Sequence, residues 1–301
     1  MLKIGILGLS NETDLLSKKI KTLNLFEPSG VYEFDKRILK VHKNSDYAFQ
    51  SSPSALISLS DALIISNTND SAFNIVIESL KNLKTVFLLN PHMLTLAEAN
   101  ELQKITIEAN VNLFTFSGLM GNAVFKSAAG SINNPGFIEM IHQIKGPSEN
   151  PDEIVPKELY SDLDFIINSV HANIRKAYAK GLSVNNKIND LINIRIEFDN
   201  ACVANLTINR LADEDKIVCN FFQKESVVSI NPTENNYVIT KTNKIKNKRV
   251  YKTEQDDYEA LILKCFHESL HTEYSQISNI EKFVITLQLL NNLKDKFEII
   301  F

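Results

Sequence analysis

Short apolar runs alternate with amphipathic stretches through the first 118 residues. Lys3–Leu7 (KIGIL), Gly30–Phe34 (GVYEF), Ala62–Ser66 (ALIIS), Thr85–Leu89 (TVFLL) and Asn112–Phe116 (NLFTF) each have strand length. Between them, Glu12–Leu23, Ser71–Leu83 and Thr95–Ala109 space their apolar residues as helices do. In the last of these, Leu96, Ala99, Leu102 and Ile105 or Ile107 fall on one side. Strands that are apolar throughout, with helices between them, are buried on both faces of a parallel sheet. The pattern predicts an α/β fold with a Rossmann-like, doubly wound domain over residues 1–118.

After Gly118 the texture changes. A helix near Asn122–Ser131 precedes a strand at Phe137–Ile144, a stretch bearing Pro and Gly from Gly146 to Pro156, and a helix at Glu158–Val170. Alternating segments at 172–179, 190–198, 201–209, 216–222, 226–230, 237–242 and 245–252 then read as half-exposed strands joined by polar turns. Two helices, about 255–269 and 278–294, follow. The expectation for 119–301 is an α+β domain with a mostly antiparallel open sheet, helices on one face, and C-terminal helices packing back on the first domain.

Composition narrows the function classes. The chain has 301 residues, 44% of them hydrophobic, and only 9 glycines, few for a protein built around phosphate-binding loops. Its 32 basic and 36 acidic residues give a net charge of −4, which supplies no global attraction for nucleic acid or an anionic membrane. Cys202, Cys219 and Cys265 form no CxxC pair, and their odd number argues against a disulfide framework. No apolar run approaches the ~18 residues that would cross a bilayer. The opening MLKIGILGLSNETD reads as a buried strand rather than a signal peptide, so a cytoplasmic protein is expected and the sequons at Asn11, Asn69 and Asn205 are coincidental.

The first strand-to-helix turn is the natural place for a nucleotide. Gly8-Leu9-Ser10-Asn11-Glu12-Thr13 occupies the GxGxxG frame, with Ser10 and Thr13 in the second and third glycine places. Glu12 and Asp14 suit the helix dipole but repel an incoming phosphate. Glu33, 25 residues beyond Gly8, stands where an acid binds the adenosine ribose, while Lys36 and Arg37 offer charge for a 2′-phosphate. By itself this frame fits a working site and a vestigial one equally. His267-Glu268-Ser269-Leu270-His271 spells HExxH, but at a helix end and without a clear third ligand, so no metal site is assigned. The basic run Lys241–Lys252 reads as a guarded strand, with Glu254, Asp256 and Asp257 cancelling much of its field. His42, His142 and His171 stand alone and receive no chemistry.

The order of these pieces resembles the Gfo/Idh/MocA oxidoreductases. Asp61–Asn69 (DALIISNTN) followed by Lys84–Ala99 (KTVFLLNPHMLTLAEA) is similar to that family's Thr-Pro-Asn-like stretch, Glu-Lys-Pro motif and Leu-Thr-x-x-Glu-Ala helix start. Asn122–Phe125 and Asp162-Leu163-Asp164 resemble two further helix openings. The resemblance implies an NAD- or NADP-binding Rossmann domain and a second domain whose open sheet makes the face of a homodimer or larger homo-oligomer. It also implies a small carbohydrate-like substrate: a sugar, polyol or nucleotide sugar. Cofactor contacts would fall on Gly8, Ser10, Asn11, Glu33, Ser66, Asn67, Thr68, Asn69, Leu89 and Pro91. The catalytic positions depart from the family. Its lysine is replaced by Asn90, and its Asp-x-x-x-His pair falls on Lys157 and Ser161, so neither the lysine nor the imidazole is in place to exchange a proton near neutrality. His92 and Lys157 are the conceivable substitutes. Two readings follow: an oxidoreductase acting on CH–OH groups, or an inactive descendant serving as a ligand-binding or partner subunit.

Overall fold

The structure is a computed structural model, and it describes residues 1–8, 11–35, 48–66, 70–116, 118–119, 121–146, 157–184, 190–241, 247–253, 257–271 and 278–294. The chain divides into two compact units, Met1–Ser117 with Asp256–Ile285, and Gly118–Gln255 with Thr286–Phe301.

In the first unit the elements are β1 (Lys3–Leu7), α1 (Asn11–Leu23), β2 (Glu27–Tyr32), α2 (Pro53–Leu59), β3 (Ala62–Ile65), α3 (Asp70–Lys81), β4 (Thr85–Leu88), a single 3-10 turn (Pro91–Met93), α4 (Leu96–Ala109) and β5 (Leu113–Thr115). The later segments α7 (Tyr258–Ser269) and β14 (Ser278–Asn279) belong to it as well. The sheet order is β14-β5-β4-β3-β1-β2, with β1 to β5 all parallel and β14 antiparallel at the edge. A parallel bridge from Val31 to Phe49 continues the sheet beyond β2. The chain runs outward from β1 through β2 and then returns to the other side of β1 as β3, which makes the gap between β1 and β3 the topological switch point.

Continuous burial of β1, β3 and β4 confirms the double-sided cover that their apolar runs imply. α1 contributes Leu16 and Ile20 to one side of the core, and α7 contributes Leu261, Ile262, Cys265 and Phe266. The Phe266 ring stacks on Phe87 with centroids 4.7 Å apart and on Phe26 at 5.7 Å. A fully buried aromatic of this kind contributes roughly 1.5–3 kcal/mol, so α7 is integral to this unit despite its distance in sequence. β2 starts three residues before the expected Gly30 and ends before Phe34. Its pairing is set by backbone bonds, from Glu27 N donating to the Leu2 carbonyl (2.9 Å) to Gly8 N donating to that of Tyr32 (2.9 Å), rather than by the apolar run.

The second unit contains α5 (Ala123–Ala129), β6 (Phe137–Lys145), α6 (Lys157–Ser169), β7 (Ile174–Leu182), β8 (Leu191–Phe198), β9 (Val203–Ala212), β10 (Lys216–Phe222), β11 (Ser226–Asn231), β12 (Asn236–Lys241) and β13 (Asn247–Lys252). α8 (Ile280–Lys294) begins among the first unit's residues and ends among the second's. The eight strands lie in the order β13-β12-β11-β10-β6-β9-β8-β7, antiparallel throughout except for the central β6–β9 pair. Alternation is strict in β8 and β9, whose Ile192, Ile194, Ile196 and Ala204, Leu206, Ile208 face inward. Against that face packs α6, with Leu159, Leu163 and Ile166 fully buried and Phe165 against Phe125 at 4.1 Å. The three cysteines are free and buried, and burial pushes the Cys202 thiol up to about 11, which leaves it inert as a nucleophile. No helix among the described residues is long and apolar enough to cross a membrane.

Candidate functional site

The carboxyl ends of β1, β2, β3 and β4 form one rim of the first unit's sheet. At the end of β1, Gly8 has φ +86°, a conformation that a side chain would strain, and its N–H is already committed to the Tyr32 carbonyl. β3 ends on Ser66, which is buried and donates its hydroxyl to the Gly8 carbonyl at 3.1 Å and the Leu7 carbonyl at 3.4 Å. The two strands that flank the switch point are thus tied together at their ends. β4 is tied to β3 in turn, because Asn90 Nδ2 donates to the Ser66 carbonyl at 2.7 Å. Leu89 and Pro91 are both buried beside it.

At the end of β2, Glu33 is 6% exposed and its Oε1 accepts the Asp35 N–H at 2.9 Å. The carboxylate is therefore held at the carboxyl end of β2. The third glycine place of the fingerprint holds Thr13, which is completely buried, so α1 seats against the sheet in spite of the larger residue. Gly8, Glu33, Ser66, Leu89, Asn90 and Pro91 all belong to this rim. Asn11 opens α1 there through its backbone. Ser10, Asn67, Thr68 and Asn69, together with Lys36, Arg37 and His42, lie outside the described residues. His92 sits half-buried in the 3-10 turn after Asn90.

Lys157 and Ser161 open the first two turns of α6 in the second unit. Two charged pairs lie under those turns. Arg210, on the inward face of β9, donates Nη2 to Glu158 at 3.2 Å, and its side chain is 6% exposed. His142, on β6, places Nδ1 2.9 Å and 3.1 Å from the two oxygens of Asp162, which is completely buried. Burial depresses the imidazole pKa, but the Asp162 carboxylate, helped by Glu158 and Asp215, more than reverses this and leaves it above 6.5. Burial likewise lifts the Asp162 carboxyl above 3.8, and His142 only partly offsets it. His142 is therefore not the solitary structural histidine expected from its sequence. The available signal was its inward parity on β6, shared with Ile138 and Met140, opposite a helix that carries two aspartates among apolar residues.

The two imidazoles of the HExxH spelling lie side by side, with ring centroids 4.7 Å apart. His267 lies in the last turn of α7 edge-on to Phe26, whereas His271 falls beyond the C-cap Leu270. Among the described residues, no group of three or more His, Cys, Asp or Glu is placed to hold a metal ion.

Residues 2–116 match the model of the Gfo/Idh/MocA oxidoreductase family, an NAD-binding Rossmann fold. No curated protein matches the chain in sequence. Among solved structures, UDP-N-acetylglucosamine 3-dehydrogenase GnnA from Acidithiobacillus ferrooxidans superposes with a TM-score of 0.86 at 16% identity, over 99% of this chain and 98% of its own. The dehydrogenase MviM from Clostridium difficile gives 0.79 at 13% identity, over 98% and 99% respectively. A super-repressor mutant of Gal80p from Saccharomyces cerevisiae gives 0.79 at 13% identity, over 98% and 95%. At such identities the likeness shows a shared fold along the whole chain.

Proposed function

We propose that the chain, whose residues 2–116 match the model of the Gfo/Idh/MocA oxidoreductase family, interconverts an alcohol and a carbonyl on a sugar, polyol or nucleotide sugar, using NAD(H) or NADP(H). The observation that carries this reading is the rim itself. Gly8 turns in the conformation only glycine adopts freely, Ser66 locks that turn across the switch point, and Glu33 holds a carboxylate at the end of β2. These residues fit a dinucleotide. Gly8, Ser10 and Asn11 would take the pyrophosphate, Glu33 the adenosine ribose, and Ser66 to Asn69 with Leu89, Asn90 and Pro91 the nicotinamide end. The bound cofactor supplies hydride chemistry; the chain supplies orientation and the handling of protons. Nucleotide sugars enter the substrate class through the likeness to a UDP-N-acetylglucosamine 3-dehydrogenase.

The second reading is a family member that binds ligand without turnover. It is favoured by Asn90, whose amide is engaged by the Ser66 carbonyl where the family resemblance places a lysine, and by Ser161 in place of the imidazole.

A thermal-shift titration with NAD+, NADH, NADP+ and NADPH tests both. A ligand at about 100 times its Kd stabilises the folded state by about 2.7 kcal/mol, so a clear rise in Tm is expected with at least one of the four. No rise with any would remove the dehydrogenase reading. Because the Glu33 carboxylate repels a 2′-phosphate, NAD(H) is expected to shift Tm more than NADP(H) at equal concentration. The opposite order would transfer the ribose role to Lys36 or Arg37. A rise followed by no turnover on a panel of sugars and nucleotide sugars would favour the binding subunit.

A further inference from the structure

The functional reading leaves the HExxH spelling at the end of α7 unused. Its sequence offers no clear third ligand, but the structure brings its two imidazoles together. α7 closes at Leu270, whose N–H donates to the carbonyls of Phe266 and Glu268, and the His271 N–H donates to the Glu268 carbonyl at 3.0 Å. Leu270 has φ −76° and ψ −17°, so the chain keeps a helical course past the cap. His271 therefore falls one turn beyond His267 on the same side of the helix.

The ring geometry suits one shared ion. A metal ion lies in the plane of each imidazole that binds it, so rings stacked in parallel do not converge on it. These two are tilted by 59°. With metal–nitrogen bonds of about 2.0–2.1 Å, two imidazoles on one ion stand with centres about 4.5–5.3 Å apart for bond angles between square-planar and tetrahedral. The observed separation is 4.7 Å. No hydrogen bond joins either imidazole to a described residue, so their lone pairs are uncommitted among those residues. His267 is half-buried and edge-on to Phe26 at 5.5 Å, which steadies its ring, while His271 is exposed to an approaching ion. Both stand at the carbonyl end of α7, the end of a helix that favours a cation.

We propose that His267 and His271 together bind one divalent transition-metal ion, of the zinc, nickel or copper kind, through their imidazole nitrogens. Imidazole selects such ions over Mg2+ and Ca2+, which take oxygen ligands. No third His, Cys, Asp or Glu among the described residues joins the pair, so water completes the coordination and binding is weaker than at a four-ligand structural zinc centre. The two ligands belong to the first unit alone, and the site does not depend on the dinucleotide reading. Its consequence is a clip. The ion fastens residue 271 to the last turn of the helix that carries Phe266 into the core, so binding opposes fraying at that end.

The test uses the full chain without a histidine tag, freed of metal by a chelator and dialysis, with ZnCl2 as the probe. Calorimetric titration should show a single zinc ion bound per chain. His271→Gln, at an exposed position, should weaken that binding at least about tenfold, since loss even of a residue that merely orients a ligand costs that much. His267→Gln should weaken it equally, and His271→Gln decides alone should His267→Gln fail to fold. His171→Gln, outside the pair, should bind as wild type does. NiCl2 and CuCl2 should follow the same pattern, and MgCl2 should not bind. In NMR spectra the Cε1–Hε1 signals of His267 and His271 should move together along the zinc titration. Saturating zinc should raise the Tm of wild type by at least about 2 °C and that of His271→Gln by less than half as much. No zinc binding to wild type, equal affinity or an equal Tm rise in His271→Gln, Mg2+ binding as strong as zinc, or movement of one signal without the other each overturns the proposal. Any of these leaves the dinucleotide reading standing, and failure of every dinucleotide to raise Tm leaves this proposal standing.

Discussion

Asn90 shows how one residue can keep a motif's register and change its work. Pro91 and the following Leu94-Thr95 keep the spacing of the motif, but the side chain that should reach outward as a lysine instead donates Nδ2 to the Ser66 carbonyl at 2.7 Å. A typical hydrogen bond of this kind contributes about 1 kcal/mol. Asn90→Ala should therefore lower stability by about that amount, read as a shift in the urea midpoint without a change in slope. Asn90→Asp should cost more, because a carboxylate then faces a carbonyl oxygen. Equal midpoints for wild type and Asn90→Ala would remove the structural role assigned to this amide. Gly30 makes a sharper local demand, since it has φ +135° and an added Cβ would come within 2.6 Å of the Ala48 carbonyl oxygen. Gly30→Ala should destabilise by about 1–3 kcal/mol, measured in the same way. Gly8 and Pro91 were legible in the sequence because a strand end and a motif fix them. The Asn90–Ser66 bond was not, because its partners are 24 residues apart and join strands whose adjacency only the fold establishes.

At the scale of elements, apolar periodicity located nearly every helix and strand, and it failed where another force decides. β2 is placed by its ladder with β1 and not by its apolar residues. α7 follows the second half in sequence, and Phe266 makes it part of the first unit's core. α6 is the clearest case: an amphipathic pattern predicts the helix but not that Asp162 and Asp164 are completely buried within it. The burial of Asp162 and the pairing with His142 have a consequence for stability. The His142 pKa is raised above 6.5, so its contribution is fully present below that pH and is lost as pH climbs through the raised value. Asp162 acts with the same sign, because burial favours its protonated form and lifts it above 3.8, so its contribution too is lost as pH rises. The Tm of wild type minus that of a variant carrying both His142→Gln and Asp162→Asn should therefore fall as pH increases from about 4 to about 9. A difference that grows with pH would show that the pair has the opposite linkage.

For the whole molecule, the face of the second sheet turned away from α6 raises the question of assembly. Ile141, Tyr178, Leu182, Leu211, Phe222 and Val250 all have outward parity on their strands, and each is between 38% and 56% exposed. Scattered apolar residues are ordinary on a protein surface, but these six share one sheet face, from β13 at one edge to β7 at the other, which a second copy could cover. A homodimer through this face would bury them against a second copy by a self-complementary contact, in which each patch meets itself. The net charge of −4 is small enough that repulsion between copies does not oppose it strongly. Sedimentation equilibrium should then report a dimer for the wild-type chain. Tyr178→Glu combined with Phe222→Glu should shift it to monomer, since burying four unpaired carboxylates across a two-fold contact is prohibitive. The Tm of the monomeric variant should lose its dependence on protein concentration while the dinucleotide Tm shift persists, because the residues assigned to the dinucleotide lie on the other unit's sheet. A wild-type chain that sediments as a monomer would remove the interface and leave the rim and the His142–Asp162 pair to be judged on their own tests.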